Sequence, residues 1–161
     1  MDYTDILIDL RRIIRAINLE SKRIQKVYDL SIPQLLTLKF LKQSQSSMAT
    51  QKDIKEHLNL NASTVTGIIK RLEAKGYIAR LPRQDDKRSS LIALTKLGQN
   101  TFDKVPPLMQ EKLEKSLEQM DESELNIIKS SINTLVNLMD AGKIDASPLL
   151  TPGDIIQNSN E

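Results

Sequence analysis

Apolar residues recur at helical spacing along most of this chain, and two short β-compatible runs interrupt that pattern. From Asp5 to Tyr28 they fall at Ile6, Leu10, Ile13, Ile14, Ile17, Ile24, Val27 and Tyr28, with Asp9, Arg11, Arg12, Arg15 and Lys22 between them. That spacing predicts a long amphipathic helix. A second helix starts in SIPQLLTLKFL. Ser31 can cap it, Gln34 stands three residues on as a capping box requires, and Pro33 falls in the first turn, where it is tolerated. The polar stretch QSQSS (43–47) predicts a loop.

Thr50, with Asp53 three residues later, opens the short helix QKDIKEHL, whose buried face carries Ile54 and Leu58. Asn59 can take the left-handed conformation that ends a helix. Asn61 then caps the longer ASTVTGIIKRLEAK, which stops at Gly76. Two helices joined by so short a turn, the second longer, predict a helix-turn-helix.

Beyond Gly76 the period changes. YIARLP and SSLIALT flank the charged tip RQDDKR, the pattern of a hairpin, or wing. Thr95 caps the next helix, and Pro106-Pro107 must break or kink it. A helix from about Leu108 to Met120 follows. The last helix opens with an Asp121/Glu124 capping pattern and carries Leu125, Ile128, Ile132, Leu135, Val136, Leu138 and Met139. The tail beyond Ala141 has weak periodicity and is expected to be irregular.

Composition narrows what this mainly α chain with a small β-hairpin can do. With aromatics at 3%, the core must be aliphatic. No apolar run reaches the roughly 18 residues that cross a bilayer, and the N-terminus has no signal-peptide pattern. A cytoplasmic protein without membrane contact is expected. The absence of cysteine fits a reducing compartment and removes thiol chemistry. Net charge is +2, but residues 52–102 hold ten basic and five acidic side chains, against five and eleven in residues 103–161. A basic middle beside an acidic end suggests a localised polyanion surface; a mixed solvated surface is the plain alternative.

Two segments carry the candidate chemistry. On the 61–76 helix, Val65, Ile68, Ile69 and Leu72 share one arc, while Ser63, Gly67, Lys70 and Ala74 lie opposite, flanked by Thr66 and Arg71. A ridge of small residues lets a helix backbone approach a major groove closely, hydroxyls reach bases or phosphates, and cations suit phosphates or guanine edges. Gly67 costs about 1 kcal/mol in a helix interior, which close approach to a ligand would explain. An ordinary amphipathic surface helix is the alternative. In the hairpin tip, Arg83, Lys87 and Arg88 have the right placement to enter a minor groove, with Asp86 gripping the Arg88 guanidinium; a solvated turn is the bland alternative.

The ordered set NASTVTGIIKRLEAKGYIARLPRQDDKRSSLIALTKLG resembles the MarR-family signature of recognition helix, wing and following helix. Its markers are the RLEAKG helix end, Arg80, Asp86-Lys87-Arg88, and Leu94-Thr95 with Gly98. The resemblance implies a single winged helix-turn-helix domain over 1–140. Within it the DNA-binding part spans about 32–98, dimerisation helices about 5–28 and 99–140, and 141–161 form a tail. It further implies a homodimer that binds double-stranded DNA at a palindromic operator and represses until a small-molecule or ionic effector releases it. By that analogy Ser63, Thr64, Thr66, Gly67, Lys70 and Arg71 lie at the major groove. Arg83, Lys87 and Arg88 lie at the wing, with Arg88 in the minor groove and Asp86 bracing it. Many relatives carry Arg where this chain has Gly67, which puts one base contact in doubt. INLESKRIQKVYDLSIPQLLTL is similar to the N-terminal segment of repressors of compatible-solute (ectoine) operons.

Dimerisation also has a physical basis. The first and last helices carry more aliphatic surface than a small winged helix can cover, with Ile13, Ile17 and Leu135 chosen as dimer-face residues; intramolecular packing of the two is the alternative. Two rival functions remain. An enzyme would need chemistry that the chain lacks: its single histidine, His57, is expected to be solvated or near phosphate, and no phosphate loop, HExxH or GxSxG occurs. No cofactor or metal is expected. The other rival is a winged-helix module that binds protein alone, which salt dependence would separate from DNA binding.

Overall fold

Helix α2 explains how the rest of the fold is placed. In the computed structural model, which describes residues 2–82 and 90–144, α2 (Ile32–Gln43) buries Ile32, Pro33, Gln34, Leu35, Leu36, Thr37, Leu38 and Leu41. A helix buried all round over its first two turns needs its polar groups there satisfied internally. The Ser31 amide donates to Gln34 Oε1 at 3.0 Å, the Gln34 amide donates to Ser31 Oγ at 3.4 Å, and the Thr37 hydroxyl donates to the Pro33 carbonyl at 2.8 Å. Around α2 stand α1 (Thr4–Tyr28), α3 (Gln51–Leu58), α4 (Ala62–Ala74) and α5 (Lys96–Phe102), with strands β1 (Met48–Thr50), β2 (Ile78–Pro82) and β3 (Ser90–Leu94). Ile24, Leu30, Leu35, Leu38, Leu41, Ile54, Ile68, Ile69, Leu72 and Ile92 are fully buried. The core is aliphatic, as the composition requires.

The sheet is antiparallel in the order β1-β3-β2. Ile92 pairs with Ala49 on one side and Arg80 on the other, and Ile78 and Ile92 face the core. The β2–β3 hairpin matches the expected wing. Strand β1 is an addition to the expectation. It is three residues long, too short to display alternation, and it forms only because β3 offers a partner.

The described residues fall into two compact units whose boundary lies between Pro106 and Pro107. From sequence this pair is expected to break or kink the helix that Thr95 caps, and that helix, α5, ends earlier, at Phe102. The second unit holds α6 (Met109–Leu117) and α7 (Glu122–Leu138). The Leu108 amide donates to Glu111 at 2.8 Å. Asp121 caps α7 by accepting from the Glu124 amide at 2.9 Å, while Glu124 accepts from the Asp121 amide at 3.2 Å. Neither α6 nor α7 has a buried residue. Among the described residues, no helix is long and apolar enough to cross a membrane, and no group of three His, Asp or Glu side chains is placed to hold a metal.

Candidate nucleic-acid interface

The geometry of α3 and α4 follows from their caps. Thr50 accepts from the Asp53 amide at 3.1 Å and Asp53 accepts from the Thr50 amide at 2.9 Å, so the N-terminus of α3 is closed reciprocally. Asn59, at φ 51°, ends α3 in the left-handed conformation. The chain then turns through buried Leu60, and Asn61 caps α4 by accepting from the Thr64 amide at 2.8 Å. Val65, Ile68, Ile69 and Leu72 are all 0% exposed. That anchored arc fixes which side of α4 faces outward.

On the outward side Ser63, Thr66 and Lys70 are exposed and Arg71 is half-buried. Two other expected contact residues differ. Thr64 is 5% exposed, because it stands about a quarter-turn from the core arc and is covered there. Gly67 is buried as well. Periodicity puts it on the outer ridge, but with no side chain it lies below the level of its helix neighbours at i±3 and i±4. The expected ridge is therefore narrower than the periodicity alone suggests. Arg83, Asp86, Lys87 and Arg88 lie outside the described residues.

Several polar contacts fasten this face to the scaffold. The Gln51 amide donates to Thr66 Oγ1 at 2.7 Å, and the Thr66 hydroxyl donates to the Ala62 carbonyl at 2.8 Å. The Ser63 hydroxyl donates to Asn61 Oδ1 at 2.7 Å. At the other end of α4, Lys75 Nζ donates to the Asp29 carbonyl at 2.8 Å and to the Asp29 carboxylate. That hydrogen bond and the lysine's charge hold the Asp29 carboxyl below the usual aspartate range. At the base of the hairpin, Arg80 Nε donates to Glu73 Oε2 at 3.1 Å and Nη1 to Ser90 Oγ at 3.5 Å. Arg80 thus ties β2 to both α4 and β3. Thr95 closes the hairpin root, its hydroxyl donating to the Gly76 carbonyl at 2.6 Å and its amide to the Tyr77 carbonyl at 3.0 Å.

Sequence reasoning missed Gln51, Glu73 and Ser90. Each acts through a partner on a different element, seven to fifteen residues away, so spacing within one element gave no signal. His57 is expected to be solvated or near phosphate, and it is exposed. Its ring stacks on Phe40 with centroids 4.2 Å apart and planes 19° from parallel. The dimer-face residues divide by unit: Ile13 on α1 is 53% exposed, Ile17 on α1 is half-buried, and Leu135 on α7 is half-buried. Along α1, Arg11, Ile14, Arg15, Asn18, Leu19 and Lys22 line an open groove of about 380 Å³.

The MarR family model matches residues 30–90. The organic hydroperoxide resistance transcriptional regulator of Bacillus subtilis is 31% identical over 111 residues, 69% of this chain and 73% of that protein. Among solved structures, the Staphylococcus aureus MepR–DNA complex aligns with a TM-score of 0.62 at 23% identity, covering 86% of this chain and 98% of that one. Streptococcus pneumoniae FabT in complex with DNA aligns at 0.57 and 24% identity, covering 86% and 98%. At these identities the structural likeness speaks to the winged-helix fold.

Proposed function

Because the chain belongs to the MarR family of winged-helix transcription regulators, we propose that it binds a palindromic operator in double-stranded DNA as a homodimer and represses transcription there. The observation that carries this proposal is the seating of α4. Its apolar arc is fully buried while Ser63, Thr66 and Lys70 stand exposed. The helix can therefore enter a major groove without loss of core packing. Ser63 and Thr66 face bases, Lys70 and Arg71 meet phosphates or guanine edges, and Arg88, braced by Asp86, enters the minor groove with Arg83 and Lys87 beside it. That the two relatives named above were solved with DNA supports this role.

Dimerisation uses the apolar faces of α1 and α7, where Ile6, Ile13, Ile14, Ile127, Ile128 and Ile132 are exposed on the single chain. Pairing those faces across a two-fold axis gives two recognition helices one DNA turn apart. A small-molecule or ionic effector releases the dimer from its operator. The regulated genes proposed from the N-terminal resemblance are those of compatible-solute synthesis or uptake. Their transcripts should rise when this regulator is deleted, and unchanged transcripts would remove that assignment.

DNA selection tests the main proposal. Random duplexes retained by the purified protein should converge on an inverted repeat, and affinity should fall steeply as salt rises. Lys70→Ala should lower the salt slope by about one unit across sequences. Retention of no duplex at moderate salt would leave a module that binds protein alone.

A further inference from the structure

A threonine in a helix divides between two rotamers, because its hydroxyl can bond back to a carbonyl of the preceding turn from either. The two rotamers place the methyl and the hydroxyl differently, so a groove-facing threonine left to itself offers no single chemical face. Thr66 is not left to itself. Its hydroxyl proton goes to the Ala62 carbonyl, and the Gln51 side chain, reaching across from the first turn of α3, donates to the same oxygen. Donor, hydroxyl and carbonyl form a short relay in which each bond polarises the next. What remains of exposed Thr66 to meet DNA is one oxygen lone pair and a methyl group. It cannot act as a donor without breaking the bond to Ala62.

We propose that Gln51 is a specificity-determining positioning residue. It holds Thr66 as an acceptor plus a methyl, and so makes the protein favour an A·T pair at the base step Thr66 meets. This follows from the groove edges. The acceptor must find an exocyclic amine, on adenine N6 or cytosine N4, and the methyl is complemented by the thymine methyl. An A·T pair offers both groups together, whereas a G·C pair offers the amine alone. Phosphate oxygens only accept, so a hydroxyl whose proton is committed inward gains nothing from the DNA backbone. Gln51 touches no base in this scheme. It acts through Thr66, and it rests on the DNA-binding role proposed above.

Full-length protein decides the matter. The best duplex retained by the wild type is varied one base pair at a time, and each version is titrated by fluorescence anisotropy against wild type, Gln51→Ala, Thr66→Val and Thr66→Ser. In the wild type, one position per half-site should prefer A·T by about fourfold, the scale of one buried methyl group, since A·T and G·C both offer the amine. Thr66→Ser should reduce that preference through loss of the methyl, whereas Thr66→Val should weaken binding to the A·T and G·C versions alike through loss of the oxygen. Gln51→Ala should reduce it at the same position and leave preferences elsewhere intact, a pattern that general destabilisation would not produce. Thermal melting checks that each variant is folded, and the two Thr66 substitutions keep the test open if Gln51→Ala is not. A Gln51→Ala protein that keeps the wild-type preference, or loses affinity equally on all duplexes, overturns the inference while DNA binding stands. A Thr66 position that prefers G·C overturns it too. A wild-type protein that binds no duplex overturns both proposals together.

Discussion

Helices α2 and α7 are both rich in aliphatic residues, yet α2 buries eight of its twelve residues and α7 buries none. Leu35 and Leu38 on α2 are 0% exposed, whereas Ile127 and Leu138 on α7 are 66% and 76% exposed. The contrast shows what helical periodicity encodes. A repeated apolar stripe states that a face is to be removed from water, and it is silent about which chain supplies the cover. In the winged-helix unit the cover comes from the same chain. On α7, and on the Ile6, Ile13, Ile14 face of α1, the single chain leaves the stripe uncovered, and the dimer proposed above supplies the cover.

The strongest way to break that contrast is to make the uncovered faces unfit for pairing. Ile13→Asp combined with Leu135→Asp should yield a poorly folded monomer. Operator affinity should fall by about 10²–10⁴-fold, since the second half-site loses its effective-concentration gain. Light scattering and anisotropy measure the two effects. A wild-type chain that is monomeric at micromolar concentration and still binds a palindrome as one unit would end the dimer proposal.

Truncations on the two helices sharpen the comparison. Leu35→Ala should destabilise the fold by about 2–5 kcal/mol, the range for a fully buried leucine. Leu138→Ala should change stability by no more than about 0.5 kcal/mol, as for an ordinary surface position. Urea unfolding compares them directly, and equal costs would show that Leu138 is covered in solution.

Smaller effects are expected where polar contacts rather than burial join the elements. Arg80→Ala removes the bonds to Glu73 and Ser90. Because that ion pair is more than a third exposed, stability should fall by less than about 1 kcal/mol. Operator affinity should fall several-fold, because the hairpin base is no longer held against α4. A loss of stability without loss of affinity would reduce Arg80 to a structural contact.

The smallest effect concerns Asp29. Lys75 lowers its carboxyl in the folded state, so the stabilisation is complete above the ordinary aspartate range and is lost as pH falls through the lowered value. The urea midpoints of wild type and Asp29→Asn should differ at neutral pH and converge on acidification. A difference that persists unchanged into acid would mean that the charge of Asp29 contributes nothing.

Much of the helix-turn-helix was legible because its signals are local. The Thr50/Asp53 and Ser31/Gln34 boxes, the Asn61 cap, the glycine stop at Gly76 and the Val65-Ile68-Ile69-Leu72 arc each lie within one or two turns of sequence. What escaped is non-local. Strand β1 exists by pairing with a segment more than forty residues away, and Thr50 reads as a helix cap while also ending that strand. The Gln51–Thr66 bond and the His57–Phe40 stack depend on how two helices meet. Thr64 and Gly67 show the limit of angular arithmetic, which gives a direction from the helix axis but not how high the neighbouring side chains stand.

Gly98 carries a consequence of a different kind. It occupies the first turn of α5, its amide donating to Thr95 Oγ1 at 3.0 Å, and a β-carbon built there would lie 2.1 Å from the Tyr77 carbonyl oxygen and 3.0 Å from a Leu94 methyl. The chain enters the hairpin at Tyr77 and leaves it at Leu94, so even alanine at 98 would push apart the two ends of the same loop of chain. In a library saturated at every codon and screened for a folded product, this position should return glycine alone. Gly142, which among the described residues has nothing within 4 Å of such a β-carbon, should drift freely. The same residue type would be under the strictest purifying selection at one site and nearly neutral at the other.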